Sequence, residues 1–398
     1  MIKHTHSDRL ERWLGKDQVD ALVKSYGKFY YPIAVHGVPG NVHIMPGGDF
    51  VGEIKAGSFL TKEDGFSAVL KKLAARAKAK ASRNNALSTL AEMIRIGDKR
   101  IVSVGAFASI DAVVAAYTGG KGQANQFQKT GVASNAIGNA NDLWSRAGFP
   151  AAGAAGAAAP GGTVWTSAST GAFPYLNGAS ANSNHYLNWS LTASVVNNSL
   201  LMYDRLISVA AGAALSGPTT TAVTGTQTRY TSSTTTAVNY AGGNFAFPSN
   251  PTTVLAATAH NWAVGAAGPL GMVYTNQAGT TGKFMPVTTG VSACVVGGVD
   301  LAVGRWFAEL AAGDLGILQL TNMQSSASVA TGTIDWVIGH PIAINACPVA
   351  NLACLDDGLY TAMNLTPIMD GACLSWLEMP KPATTATNYS GLVRIVSE

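Results

Sequence analysis

The chain has 398 residues, of which 47% are apolar and only 12% are charged, about half the ~25% usual for soluble domains. This excludes an intrinsically disordered chain, which combines low hydrophobicity with high net charge. The formal charge of +4 is unevenly placed: residues 1–105 hold 17 Lys/Arg against 10 Asp/Glu, whereas only Asp204, Arg205, Arg229 and Lys283 are charged between Ala147 and Val299. A soluble monomer relies on interspersed surface charge, so that span is expected to be assembly interface or tightly packed β-structure.

Residues 1–60 read as an extended N-terminal arm. A charged helix candidate, His6 to Lys24, precedes a stretch with turns at Pro39-Gly40 and Pro46-Gly47-Gly48. The N-terminus lacks the apolar run of a secretory signal, so export is not expected. Residues 61–118 read as a helical region. Thr61 and Asp64 resemble a capping box, Phe66, Val69, Leu70, Leu73, Leu87 and Leu90 follow near helical spacing, and Gly97 suits the end. Val102 to Tyr117 is a second, more apolar helix candidate. Lys71, Lys72, Arg76, Lys78, Lys80 and Arg83 make 71–83 a basic helix, suited either to a weak electrostatic contact with nucleic acid or to a solvated face. No aromatic residue interleaves to stack on bases.

Residues 119–184 are a Gly/Ala/Ser-rich arm or loops, a composition that lets backbones approach closely. For residues 185–216, Leu187, Leu191, Val195, Leu200, Leu201, Tyr203 and Leu206 predict a buried helix. From 217 to 398 the pattern changes to short Thr/Val/Tyr-rich runs such as TTTAVTGTQTRYT, FMPVTTGVSACVV and GILQLTNM, broken by Gly, Asn and Pro. Such runs predict an antiparallel β-sandwich or barrel. The expected class is therefore α+β, a helix-containing N-terminal part followed by that β domain. Val254 to Tyr274 has the length of a membrane span, but His260, Asn261, Pro269 and several glycines make it too polar, so no span is expected.

Templates for chemistry fail on spacing. Gly279-Thr-Thr-Gly-Lys283 resembles the end of a phosphate-binding loop, yet Phe284 stands where Ser or Thr is required. Neither HExxH nor a Gly-x-Ser-x-Gly elbow occurs. The seven histidines are scattered, and Asp356-Asp357 before Gly358 reads as a turn, with calcium binding as the alternative. Cys294, Cys347, Cys354 and Cys373 have no metal-ligand spacing and are expected as buried free thiols. The tryptophans are spread at large intervals, which suits core packing better than a sugar platform. Catalytic, cofactor and metal residues are all read as none. The residues singled out are Tyr203, Asp204 and Arg205, a polar cluster inside the charge-poor span, expected to set structural registry or an interface rather than to catalyse.

Tyr203-Asp-Arg-Leu206, Arg229-Tyr-Thr231, Tyr274-Thr-Asn-Gln-Ala-Gly-Thr280 and Thr384-Thr-Ala-Thr387 give residues 200–398 a resemblance to a group of tailed-bacteriophage virion proteins. The resemblance implies a place in a phage particle, formed in the host cytoplasm, and carries over no site. Few charges, Gly/Ala stretches and a β-sandwich independently suit a subunit packed among copies of itself and other virion proteins. The expectation is a non-enzymatic head protein, capsid shell or decoration subunit, working by symmetric self-assembly as a homo-oligomer. Two alternatives stay open: a tail, collar or receptor-binding component, and a virion-borne hydrolase of cell-wall glycan, which would need clustered carboxylates in a cleft.

Overall fold

The computed structural model describes the backbone of residues 31–33, 42–44, 50–55 and 58–59, then Phe107, and residues 110–398 except 135, 212–220, 236, 252–260, 263–271, 291–293, 326–332 and 358–364. The helix candidates before residue 102, including the basic helix 71–83, lie outside the described residues. The chain divides into two compact units, Met1–Thr89 and Leu90–Glu398.

In the first unit, β1 (Tyr31–Ile33), β2 (Val42–Ile44), β3 (Phe50–Lys55) and β4 (Ser58–Phe59) form an antiparallel sheet in chain order. Pro39-Gly40 and Pro46-Gly47-Gly48 fall in sequence between its strands. This part of the expected arm is thus a small meander, because alternate runs joined by Gly/Pro breaks pair with their neighbours.

The second unit is built on two six-stranded sheets in which all strand pairs are antiparallel. One has the order β12 (Phe245–Ser249), β18 (Ile334–Cys347), β10 (Asn198–Ala211), β21 (Leu374–Glu378), β6 (Asn141–Asp142), with β8 (Thr163–Val164) also on β10. The other runs β19 (Cys354–Asp357), β9 (Asn184–Ala193), β22 (Tyr389–Ser397), β5 (Gly122–Lys129), β7 (Gly148–Phe149), with β20 (Pro367–Ile368) on β9. A four-stranded sheet, β11 (Thr221–Ala222), β17 (Ile317–Met323), β14 (Val273–Asn276), β15 (Lys283–Phe284), and the pair β13 (Asn261–Trp262) and β16 (Thr288–Thr289) complete the strands. The α-helix among the described residues is α1 (Ile110–Ala116), whose Val113 packs with Phe107, Leu187, Leu365 and Val396. The described residues are therefore β-rich rather than α+β; of the expected helical region 61–118 most lies outside them, and its described end holds α1, followed by a π-helical turn, Tyr117–Lys121.

The facing sides of the two large sheets meet in one core. Phe127, Trp189, Leu191, Val393 and Ile395 from one sheet pack against Leu200, Met202, Leu374, Trp376 and Ile342 from the other. Phe127 stacks on Trp376 at 4.4 Å between centroids. The far end of β18 reaches the second sheet: Asn345 Nδ2 donates to Trp189 O at 2.8 Å and to Cys354 O at 3.3 Å. The sheets are thus joined at that corner, giving a sandwich with barrel character.

Of the buried helix expected over 185–216, residues 185–211 are described and are not helical. They hold β9 and β10, in different sheets, joined by a corner in which Asn197 takes a left-handed φ of 57°. The error has a physical cause. β10 is buried on both faces, so its apolar run carries no period of two, and a doubly buried strand then reads like a buried helix. Two further expectations change. Within the Gly/Ala-rich stretch 119–184, β5 pairs with β22 over its whole length, Gly122 opposite Val396 and Lys129 opposite Tyr389. Asp356 and Asp357 lie in β19 opposite Trp189 and Asn188 rather than in a turn. Close approach by small residues does occur: a Cβ at Gly153 would stand 2.0 Å from the Trp144 ring, over which this segment lies. No helix among the described residues is long and apolar enough to cross a membrane.

Candidate functional site

The second unit holds a set of buried charges organised by β10. Two register shifts in the β10–β18 ladder, between Met202 and Tyr203 and between Arg205 and Ile207, bracket Tyr203, Asp204 and Arg205. Tyr203 is paired with Pro341, which has no N–H to give the ladder, so the irregularity has a local cause. Gly339 leaves room for the Tyr203 ring, since a Cβ there would come within 2.6 Å of it.

Alternate residues of a strand point to opposite faces, so Tyr203 and Arg205 share one face and Asp204 takes the other. Arg205 Nη1 donates to Asp142 Oδ2 at 2.7 Å and to Tyr203 Oη at 3.0 Å. Tyr203 in turn donates to Asp142 Oδ1 at 3.0 Å, and Ser249 Oγ donates to Asp142 Oδ2 at 2.8 Å. A second carboxylate, Asp335, stands 3.9 Å from Arg205 Nη2 and accepts from Gly156 N at 2.6 Å. The guanidinium also lies 4.9 Å from the Trp144 ring centroid. Burial opposes the Arg205 charge, but Asp142, Tyr203 and Asp335 outweigh it and hold the group above its ordinary value. Burial pushes the Asp335 carboxyl up.

On the opposite face Asp204 is gripped by Arg229, Nε to Oδ2 and Nη2 to Oδ1, both at 2.8 Å, and also accepts from Cys373 N at 2.8 Å. Arg229 Nη2 continues to Trp165 O at 2.9 Å. Burial pushes the Asp204 carboxyl up, with Arg229 and the Cys373 N–H pulling the other way. The interactions tie the loop after β11, the residue before β21 and Trp165, just after β8, to the central strand.

A third buried group lies at the end of β21. Glu378 accepts from Tyr389 Oη at 2.6 Å and from Asn141 Nδ2, with Lys381 Nζ 3.6 Å away. Lys381 also donates to Val132 O and, at 2.9 Å, to Thr385 O. Lys381 would pass for a surface residue by type, yet it is 2% exposed. Burial raises Glu378 and lowers Lys381, each partner resisting the shift of the other.

Tyr203, Asp204 and Arg205 are thus brought together with Asp142, Arg229 and Asp335, none of which local sequence pairs with them. One signal did exist: in a span with four charged residues, a buried Asp204 has few cations to choose from, and Arg229 is one. Adjacency pointed instead to Arg205, on the wrong face of the strand.

Chemically, these groups neutralise one another inside the sheets. Among the described residues no three His, Cys, Asp or Glu side chains are placed to hold a metal ion. An open groove of about 590 Å³ lies along β5 and β22, lined by Gln126, Phe127, Gln128, Phe149, Ser390, Gly391 and Leu392, and carries no group that titrates near neutrality. Cys294, Cys347 and Cys373 are buried free thiols as expected, while Cys354 is half-buried. Compared with protein-family models, with curated proteins and with solved structures, the chain matches none.

Proposed function

We propose that the chain is a structural subunit of a tailed-phage particle, a head protein of the shell or its decoration, made in the host cytoplasm and working by symmetric self-assembly. One observation carries this reading. Of the four charged residues between Ala147 and Val299, Asp204, Arg205 and Arg229 are buried, which leaves Lys283 as the charged side chain that this span sets at the surface. Phe149, Leu176, Val196 and Val238 are exposed in the same span. A surface of that length without charge suits contact with protein better than contact with water. The inward placement of Asp142, Asp204, Asp335 and Glu378 favours a non-enzymatic role, because glycan hydrolysis needs carboxylates that face the substrate. The resemblance through Tyr203–Leu206 and Arg229–Thr231 points the same way.

Sedimentation of the purified chain tests self-assembly. Large species that persist in high salt are expected, since an uncharged interface is little screened. A monomer at tens of micromolar overturns the proposal. Quantitative mass spectrometry of purified particles tests the location: on the order of hundreds of copies supports a head protein, a few to dozens moves it to tail or collar, and absence removes it from the virion.

A further inference from the structure

The corner where β18 meets the second sheet places two thiols together. Cys347 ends β18, and its Sγ lies 3.2 Å from Leu191 O. Cys354 opens β19 and is the register partner of the same Leu191. Cys354 packs against the core cluster that contains Cys347. The six residues between them form a short loop pinned at its middle, where Asn351, at a left-handed φ of 58°, donates from its N to Ala193 O at 2.7 Å. Cys347 is fully buried, Cys354 half-buried, and Val349, Leu352 and Leu355 around them are exposed.

We infer that Cys347 and Cys354 are a reversible disulfide site, closed by exchange with a low-molecular-weight disulfide, that staples the loop 348–353 and the edge strand β19 to the corner of the sandwich. A disulfide needs Cβ atoms about 4 Å apart, and two thiols that both lie at Leu191, at the base of one short loop, suit that requirement. The order of events follows from access. Cys354 gives up its proton to solvent, and its thiolate attacks one sulfur of an oxidised-glutathione molecule, expelling one glutathione thiolate and leaving a mixed disulfide. Cys347, which small disulfides cannot reach, then loses its proton and attacks Cys354 Sγ, forming the Cys347–Cys354 bond and expelling the second glutathione. The protein loses two hydrogens and one disulfide becomes two thiols, so electrons and atoms balance. Burial, followed by the nearby Cys354, pushes the Cys347 thiol up to about 12, so the second step is the slow one and accelerates roughly tenfold per pH unit. This inference does not depend on the virion reading.

The full chain is equilibrated in glutathione buffers of rising oxidised fraction, quenched in acid, alkylated with excess iodoacetamide in mildly alkaline urea and analysed by peptide mass. The expected result is a peptide containing both cysteines that has lost two hydrogens, resists alkylation and recovers on reduction, while Cys294 and Cys373 stay alkylatable. Cys347→Ser should trap glutathione on Cys354, and Cys354→Ser should leave Cys347 reduced. The oxidised chain should melt roughly 3–5 °C above the reduced one, a difference absent in either variant. Full alkylation of both thiols at every ratio, or glutathione remaining on wild-type Cys354, overturns the inference.

Discussion

Arg229 holds Asp204 through two parallel hydrogen bonds, Nε to Oδ2 and Nη2 to Oδ1, each 2.8 Å long and shielded from water. Arg205, the residue next to Asp204, has no part in this pair and faces Asp142 instead. One strand thus presents opposite charges to its two faces, and each charge fastens a different part of the chain. The geometry is the bidentate one that makes arginine and lysine non-interchangeable.

Breaking this clamp on one side leaves a buried charge without its partner. Asp204→Asn and Arg229→Met should each destabilise the fold by roughly 3–5 kcal/mol, and the double variant should cost clearly less than the sum. Urea denaturation of the four proteins measures the coupling. Strict additivity would show that the two side chains act independently.

Lys381→Gln should also be severe, about 3 kcal/mol or more, because Glu378 would lose its buried cation and the carbonyls of Val132 and Thr385 a donor. Arg305 and Glu309, an exposed pair at 2.7 Å, provide the control: Glu309→Gln should change stability by about 0.5 kcal/mol or less. Equal denaturation midpoints for the two variants would contradict the burial of Lys381.

His340 stacks on Tyr230 at 3.7 Å between ring centroids, and its Nδ1 faces Asn244 Oδ1 at 2.8 Å. Asn244 Nδ2 is committed to Tyr230 O and Ile317 O, so its oxygen is an acceptor and the neutral ring carries its proton on Nδ1. Burial lowers the ring pKa to about 3 from 6.5. The unfolded chain therefore binds a proton that the folded chain refuses between these values, so the contribution is complete above pH 6.5 and is lost as pH falls toward 3. Asp204, Asp335 and Glu378, raised by burial, act in the opposite sense over their own range. The stability of wild type minus His340→Gln isolates the histidine, and should fall by about 2–4 kcal/mol from pH 7 to pH 4. A flat difference would mean that His340 titrates alike in both states.

If the uncharged surface mediates self-assembly, charge placed on it should dissolve the assembly without harming the fold. Leu176, with 75% of its surface exposed, and the exposed Val196 and Val238 are suitable positions. Asp at all three should shift sedimentation toward small species. The dissociated chain should unfold within about 1 kcal/mol of wild type. Unchanged large species would place the contacts elsewhere.

How much of this was legible depended on whether a residue's role is set by its neighbours in sequence or in space. The Thr/Val-rich runs after residue 217 announced strands such as Val273–Asn276 and Ile317–Met323, because alternation and Gly/Asn breaks are local properties. The same reasoning failed for Asn198–Ala211, where partners on both faces erase the alternation. The cysteine spacing shows no pair, because six intervening residues conceal that Cys347 and Cys354 both lie at Leu191.

By itself the sequence determined that Asp204 and Arg205 lie in a span too poor in charge to leave them unpaired, and that the chain's surface would be short of charge. Only the tertiary structure decided which partner each one takes. A strand turns consecutive side chains to opposite faces, and the groups waiting there, Arg229 on one side and Asp142 with Asp335 on the other, come from segments 25 to 130 residues away. Pairing across such distances depends on sheet order and register, which no local pattern of residues encodes.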